Sequence, residues 1–568
     1  MRWNAGRPIG CALLVVFVVL DGALAQVLPP SADPSRVRQR FEPPPLPPRP
    51  APPDVPRLPE RGLPQGTDDV RFVLSEVRIE GATVYGADAF RPLYGELIGQ
   101  EISLDRIFRI TQSITARYRS DGYVLSQALL PAQRIEGGVV RIQIIEGFVD
   151  AFRIEGEPRG GSELIAAYAE KIVASRPLQN SDLERYLLLM NDLPGLRVRS
   201  VLLPSPDTPG AANMTLVVEE KRLDAVGSID NRGTKFLGRS QYLASLAANS
   251  LLSRHERMQL QYVGAPTTSE RELSYVSGSY QQPVFDEGTT LSVFASRSDT
   301  EPGSELEDLE IEGESTTLIL SAAHPFIRSR RQNLSVALQF DVRNSETDIF
   351  GSQLFSKDRL RILRARMQYD LVDAWAGVNL VDVELSQGLN IFGASDDGDA
   401  NLSRADGRSD FFKVAATAQR VQDLGFLKDG LGVLVSVGGQ KSANALLAVE
   451  EFGLGGIDFG RAYDPSELTG DDALAARIEL RQDFDEVLSQ PTELFQIYGY
   501  YDIGRVWNRG DAVGQSSEES LASAGVGVRF AVTDWLSGSL EAGKPLTRRV
   551  EAEGDREWRG FFSLRVEW

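Results

Sequence analysis

Two segments of this 568-residue chain carry residues whose types and spacing suit a strong, directional charge pair. The first runs Phe452-Gly453-Leu454-Gly455-Gly456-Ile457-Asp458-Phe459-Gly460-Arg461-Ala462-Tyr463 and continues Asp464-Pro465-Ser466-Glu467-Leu468-Thr469-Gly470-Asp471. Its glycines permit a tight hairpin that lays backbone against a wall. Arg461 falls at the expected tip, beside Gly460 and Tyr463. Five donors in a planar fork make arginine the best residue for a desolvated, bidentate grip on a carboxylate. A carboxylate to match is Asp502, in Tyr500-Tyr501-Asp502-Ile503-Gly504. There Phe495, Ile497, Gly499, Tyr501 and Ile503 alternate with Gln496, Tyr498, Tyr500 and Asp502, which puts Asp502 on the polar face of a strand. Arg477, Glu479 and Arg481 share the polar parity of the segment between and read as ordinary lining of that face. The chemistry on offer is a buried ion pair, which positions a loop and breaks no bond.

Signals for an enzyme are poor. His255 and His324 lie in an expected turn and near a strand end, without metal-ligand spacing, and neither a Gly-x-Ser-x-Gly elbow nor a phosphate-binding loop is present. Cys11 is the only cysteine, so no disulfide framework and no cysteine metal site are expected. No cofactor is implied. The formal charge of −20, from 60 basic and 80 acidic residues, argues against nucleic acid as a partner. Much of the acid, as in Glu301–Glu314 and Asp396–Asp410, reads as solubilising charge on outward loops.

The elements that must hold the pair follow from periodicity. From Leu223 to Trp568, short segments of alternating apolar and polar residues are split by turns. Leu334, Val336, Leu338, Phe340 and Val342 interleave with Ser335, Ala337, Gln339 and Asp341, and Phe562, Leu564, Val566 and Trp568 with Ser563, Arg565 and Glu567. Strands with one oily and one polar face, with no helices between, suit a barrel with lipid outside and water inside. About 16 such segments are expected, an even number. Connections near Ser253–Glu256, Ser329–Gln332 and Val372–Trp375 are short, whereas those near Asp299–Gly313, Asn390–Asp410 and Ser442–Asp472 are long, the rhythm of periplasmic turns and outer loops.

Ahead of this region, Arg2 and Arg7, the apolar run Cys11–Leu20 and Ala23-Leu24-Ala25 read as a signal peptide over residues 1–25, cleaved after Ala25. Ten apolar residues are too few to span a bilayer as a helix, which needs about 20. Cys11 opens the apolar stretch, the wrong end for acylation. Residues 26–69 are dense in proline and read as a semi-rigid periplasmic tether, with a short helical stretch at Pro34–Phe41. Residues 70–148 and 149–222 read as two successive β-α-α-β-β modules. In the first, Val73–Ile79 is a strand, Leu104–Tyr118 an amphipathic helix, and Val124–Pro131 and Val139–Ile145 two more strands. In the second, Val149–Glu155 is a strand, Ser162–Ala174 a helix, and Ser181-Asp182 caps a second helix through Met190. Strands Val198–Leu203 and Asn213–Glu219 close it.

A tandem of this kind between a signal and a barrel resembles POTRA domains. The first resembles the two-partner-secretion type in Tyr118-Arg119-Ser120-Asp121-Gly122-Tyr123, Leu129-Leu130-Pro131-Ala132-Gln133 and Gly137-Gly138-Val139-Val140. Such modules offer a sheet edge, here sought at Val139–Ile145, where an unfolded chain adds as an extra strand. Nearly all of Val70–Trp568 resembles the two-partner-secretion translocators (TpsB, the haemolysin secretion/activation type), relatives of BamA-like insertases. The resemblance implies that the sixth long loop folds back into the barrel, that its Arg461 meets Asp502 as a gating lock, and that Gly460 and Tyr463 shape the loop tip. It also implies that Asp230-Asn231-Arg232-Gly233-Thr234 with Gly238-Arg239 forms the first barrel hairpin and that Trp568 is a terminal signal read by the barrel assembly machinery. Ala462 departs from the glycine usual after the Arg, and Pro34–Phe41 is shorter than the plug helix of many relatives. The function implied is secretion of an unfolded exoprotein, recognised by its amino-terminal secretion domain, through a barrel set in outer-membrane lipid. A BamA-like assembly factor is the alternative, and a passive porin explains the barrel but not the modules.

Overall fold

In a computed structural model, residues 28–41, 70–86, 88–265, 272–484, 494–510 and 516–568 are described. The expected signal peptide, its cleavage site, Cys11 and the proline run at 43–48 lie outside them.

The first module does not contain one strand across Val73–Ile79. The chain changes partner at Leu74: Arg71–Val73 pairs with Glu101–Ser103, and Glu76–Glu80 pairs in parallel with Val139–Ile145. Leu74 is fully buried while Val73 is exposed, so the simple alternation breaks there. Gly138 explains why: a β-carbon on it would lie 2.1 Å from the Val73 carbonyl oxygen, and its own carbonyl accepts the Ser75 N–H at 2.9 Å. Val139–Ile145 is also the central strand, flanked by Glu76–Glu80 and Gln127–Leu129, and is not the accessible edge the sequence suggested. Where a first helix was expected the chain makes two 3-10 turns, Arg91–Leu93 and Gly95–Leu97. The helix Leu104–Ser120 buries Ile107, Ile110, Ile114 and Tyr118, the stripe its 3.6-residue spacing requires.

The second module repeats the plan with two true helices, Glu163–Ala174 and Asn180–Asn191. The latter starts one residue before Ser181, whose hydroxyl does not cap it; Asp182 instead accepts the Ser175 hydroxyl at 2.6 Å. Ala211–Glu220 is the central strand, between Phe148–Glu155 and Leu196–Pro204.

Sixteen antiparallel strands, Leu223–Asp230 to Arg559–Glu567, form a closed barrel. Leu338, Leu480, Val526 and Leu540 point to lipid, each more than half exposed, while alternate residues such as Asp341, Glu479 and Asp502 are buried in the lumen. The hairpin Gln332–Ile349 and Gln353–Val372 breaks the loop rhythm. Its strands are 18 and 20 residues long and join on the outer side through a tight turn at Phe350–Ser352, so added length went into the strands and not the loop. The last strand closes on the first from Ser563 opposite Asp230 to Glu567 opposite Val226, and Trp568 extends the seam by donating to the Ala225 carbonyl at 2.8 Å.

Candidate functional site

The loop between the strands Leu431–Ser442 and Asp472–Phe484 turns into the lumen as a small hairpin, Phe452–Leu454 paired with Leu468–Gly470. Its tip crosses residues 455–467. Gly455 has a positive φ, and a β-carbon on it would stand 2.1 Å from the Asp464 carbonyl oxygen. Gly460 is the second forced glycine, with φ +99° and a would-be β-carbon 2.7 Å from Leu521. Ala462 is absent from the left-handed region, so the special backbone geometry falls on the residue before Arg461 and not on the one after it.

This turn delivers Arg461 to Asp502 on the strand Leu494–Trp507. Arg461 Nε and Nη2 donate to the two carboxylate oxygens at 3.1 Å each, and the backbone N–H groups of Gly460 and Arg461 add bonds of 3.2 and 3.0 Å. Asp502 therefore accepts four hydrogen bonds while fully buried. The guanidinium lies 3.6 Å from the centre of the Tyr500 ring, a cation–π contact on its open face. Tyr463 is buried too; its hydroxyl lies 3.2 Å from the carbonyl oxygens of Ala522 and Arg548 and accepts the Arg548 N–H.

Glu479 corrects the reading of it as ordinary lining. It takes the remaining Arg461 nitrogen, Nη1, and also accepts from Arg481 at 2.7 Å and Arg529 at 2.8 and 3.0 Å. Arg461 is thus shared by two buried carboxylates. Polar parity placed Glu479 inside the barrel, but nothing local marked it as the second acceptor. The network continues through the Tyr498 and Tyr500 hydroxyls to Glu541 and on to Arg232 of the first hairpin at 3.0 Å. Arg559 of the last strand holds Asp464 and the Ala462 carbonyl.

Spacing in the sequence did not reveal a second anchor at the base of the loop. Glu450, 1% exposed, meets Arg343 at 3.0 Å, Arg364 at 2.7 Å and Lys413 at 2.8 Å, cations from three strands on the amino-terminal side of the loop. Arg404 holds Asp471 through two bonds of 2.7 and 3.2 Å. On this base sits the amino-terminal stretch expected at Pro34–Phe41, a 3-10 turn Pro34–Arg36 leading into the helix Val37–Phe41. Arg36 donates to the carbonyls of Ala448 and Glu451 and to Ser466, and Gln39 to the Val449 carbonyl. Val37 packs on Leu237, Val263, Leu273 and Tyr275, and Ala32 on Phe236, Leu306, Ile311 and Ile349. Loop and segment thus pack against each other inside the barrel.

Trp568 lies at the opposite end of the barrel wall, its side chain 72% exposed. In the first hairpin, Asn231 bridges the seam, accepting the Phe562 N–H at 2.7 Å and donating to the Gly560 carbonyl at 2.9 Å.

The profile described as haemolysin secretion/activation protein ShlB/FhaC/HecB matches residues 213–530, and that of the ShlB-type POTRA domain matches residues 72–147. The chain is 22% identical over 497 residues to the heme/hemopexin transporter protein HuxB of Haemophilus influenzae (strain 86-028NP), covering 86% of each. It is 25% identical over 484 residues to the outer membrane transporter CdiB of Dickeya dadantii (strain 3937), covering 84% of this chain and 83% of that one. Among solved structures, CdiB from Escherichia coli superposes with a TM-score of 0.70 at 21% identity, over 90% of this chain and 93% of the other.

Proposed function

This chain belongs to the haemolysin secretion/activation family of two-partner-secretion transporters, and on that footing we propose that it receives one unfolded exoprotein in the periplasm and passes it through a gated barrel. Its relatives are transporters, and it sits in the outer membrane with its POTRA modules on the periplasmic side. The observation that carries the proposal is the occupied lumen: a loop held by Arg461 on Asp502 and Glu479, with the segment Pro30–Phe41 seated on its base. A passive pore has no use for a network of buried charges across its bore, since ions of this kind are costly to desolvate unless fully paired. Among the described residues no nucleotide site is evident, and the proposed drive is folding of the client outside.

Capture of the client falls to a sheet edge. Of the four edges of the two three-stranded sheets, Leu196–Pro204 is the best suited, because Val201 and Leu203 stand 46% and 57% exposed on a nine-residue strand paired on one side only. An extended chain adds there through main-chain bonds with little demand on its sequence.

The gate is tested with a tether. The β-carbon of Ala462 lies 3.0 Å from where one on Gly543 would stand, with the Tyr500 hydroxyl 2.6 Å from that point. A small outward shift of the loop tip and of the Tyr500 ring reaches the ~3.5–4.5 Å of a disulfide, and the chain beyond Cys11 has no native thiol to interfere. The Ala462→Cys, Gly543→Cys chain is expected to block secretion when oxidised and restore it on reduction. Unchanged secretion from the fully oxidised chain would end the gating proposal. The assembly-factor reading has one observation in its favour: the seam pairs through five residues, Ser563–Glu567, where the strands Leu494–Trp507 and Glu518–Thr533 pair through fourteen. Depleting an assembly factor lowers the levels of other barrels, whereas depleting a translocator removes only its client from the medium.

A further inference from the structure

Four neighbouring barrel strands, Thr289–Thr300, Glu312–Arg328, Gln332–Ile349 and Gln353–Val372, change character at matching places on their outward face. Their register sets Val293, Leu320, Phe340 and Leu363 side by side. Toward the outer end, Arg297, Thr316, Asn344 and Arg359 form a row, and Asp299, Glu314, Glu346 and Lys357 the next. The shift from apolar to charged marks where acyl chains give way to headgroups. A cavity of about 880 Å³ opens at that level, lined in part by Arg297, Glu314, Asn344, Glu346, Lys357 and Arg359.

The charges define what fits. Arg359 is exposed and its guanidinium meets no acceptor among the described residues, and Arg361, two residues along the same face, meets only the neutral Arg343 and Leu360 carbonyls and Asn344. Arg361 is buried and does not line the cavity, so it is the exposed Arg359 guanidinium at its wall that calls for an anion. Arg297 is shared by Asp299 and Glu314, and Lys357 is held by Glu346. With Glu312 and Asp348 also lining the cavity, carboxylates outnumber cations. A bare anion is repelled by this wall, so the ligand must bring both phosphate and its own divalent cations.

A second observation lies just below. The loop 389–411 presses the Phe392 ring edge-on against Phe340, at 6.4 Å between centroids and 82° between planes. Phe392 has φ +50° and is 78% exposed. A bulky residue held at positive φ with its ring uncovered is a costly arrangement in water. It is continuous with the lipid-facing wall, and acyl chains remove the cost of exposure.

We propose that this face binds a phosphorylated, multiply acylated glycolipid of the outer leaflet, with phosphate on Arg359, divalent cations bridging phosphate to Glu314 and Glu346, and acyl chains against Phe340 and Phe392. The purified full chain is placed in nanodiscs containing either bis-phosphorylated hexa-acyl lipid A or phosphatidylglycerol, with Mg²⁺ or EDTA, and co-purifying lipid is counted by native mass spectrometry. Lipid A is expected to be retained over phosphatidylglycerol, to be released by EDTA, and to fall at least fivefold in Arg359→Glu but not in Arg359→Lys. Phe392→Ser should halve retention or more, while heat-modifiable mobility shows every variant to be folded. Equal retention of both lipids, or lipid A retained as well by Arg359→Glu as by the parent, overturns the site. Retention indifferent to EDTA overturns the cation bridge.

Discussion

Glu479 changes what a charge swap at Arg461 can achieve. In Arg461→Ala, Asp502 remains buried without its cation while Glu479 keeps Arg481 and Arg529, a loss of about 3–5 kcal/mol by analogy with other broken buried pairs, and secretion should cease. Reversing the pair, Arg461→Asp with Asp502→Arg, should recover only part of it, because the new carboxylate at 461 faces Glu479. Adding Glu479→Gln to the swap should raise the recovered level of exoprotein in the medium; no gain would show that Glu479 does not share the lock. Tyr463→Phe keeps the packed ring and loses only its hydroxyl bonds to the backbone at 522 and 548. About 1 kcal/mol and near-normal secretion are expected. Asp502 was legible because parity along one strand decides which face a residue takes. Glu479 had the same parity, but its choice of partner depends on how far the loop reaches.

At the scale of the element, the loop is held at both ends, and the amino-terminal segment bonds it at its base, through Ala448 and Glu451, and at Ser466. Arg36→Ala removes its bonds to Ala448, Glu451 and Ser466 while leaving the Arg461 lock intact. Single-channel recordings should then show longer open times with the same maximal conductance. Glu450→Gln weakens the shared partner of Arg343, Arg364 and Lys413, and larger conductance steps are expected because the whole base is loosened. Records identical to the parent for both variants would mean that the base does not take part in closure. The helices of the modules were readable from their 3.6-residue stripes. The break at Leu74 was not, since it arises from a close backbone approach at Gly138, a contact with no signature in local composition.

For the whole molecule, the second module is fastened to the periplasmic turns. Lys171 meets Asp286 and Glu287 at 3.1 Å, Arg185 meets Glu287 at 3.4 Å, Arg328 grips Asp192 through two bonds of 2.7 Å, and His255 Nε2 lies 3.0 Å from the Gly161 carbonyl oxygen. Burial alone would raise the Glu287 carboxyl, but the bonds from Lys171 and Arg185 hold it below its ordinary value. Its contribution to docking is therefore complete above the free glutamate value of about 4.3 and is lost as pH falls through the lower docked value. Amide exchange in residues 285–288 should accelerate relative to the barrel strands on going from pH 7 to well below pH 4, and should also rise with salt because these pairs are half-exposed. Exchange that is flat across both series would remove the ion pairs as the fastening. At the seam, we propose that Trp568 serves assembly as well as closure. Trp568→Ala should lower the amount of heat-modifiable barrel in the membrane without changing the secretion rate per assembled molecule.

The sequence by itself pointed to the compartment, to about 16 strands and to the lumen face of the residues whose alternation was read, Glu479 and Asp502 among them, because a period of two is a local property that a closed barrel turns directly into inside and outside. It also placed Arg461 and Asp502 on elements able to meet. Only the tertiary structure decided that Glu479 joins them, that Glu450 and Asp471 anchor the base, that residues 30–41 sit in the bore, and that Val139–Ile145 is a central strand. Each of those depends on side chains from elements far apart in the chain arriving at one point, and distance across a lumen leaves no trace in the spacing of residues along a strand.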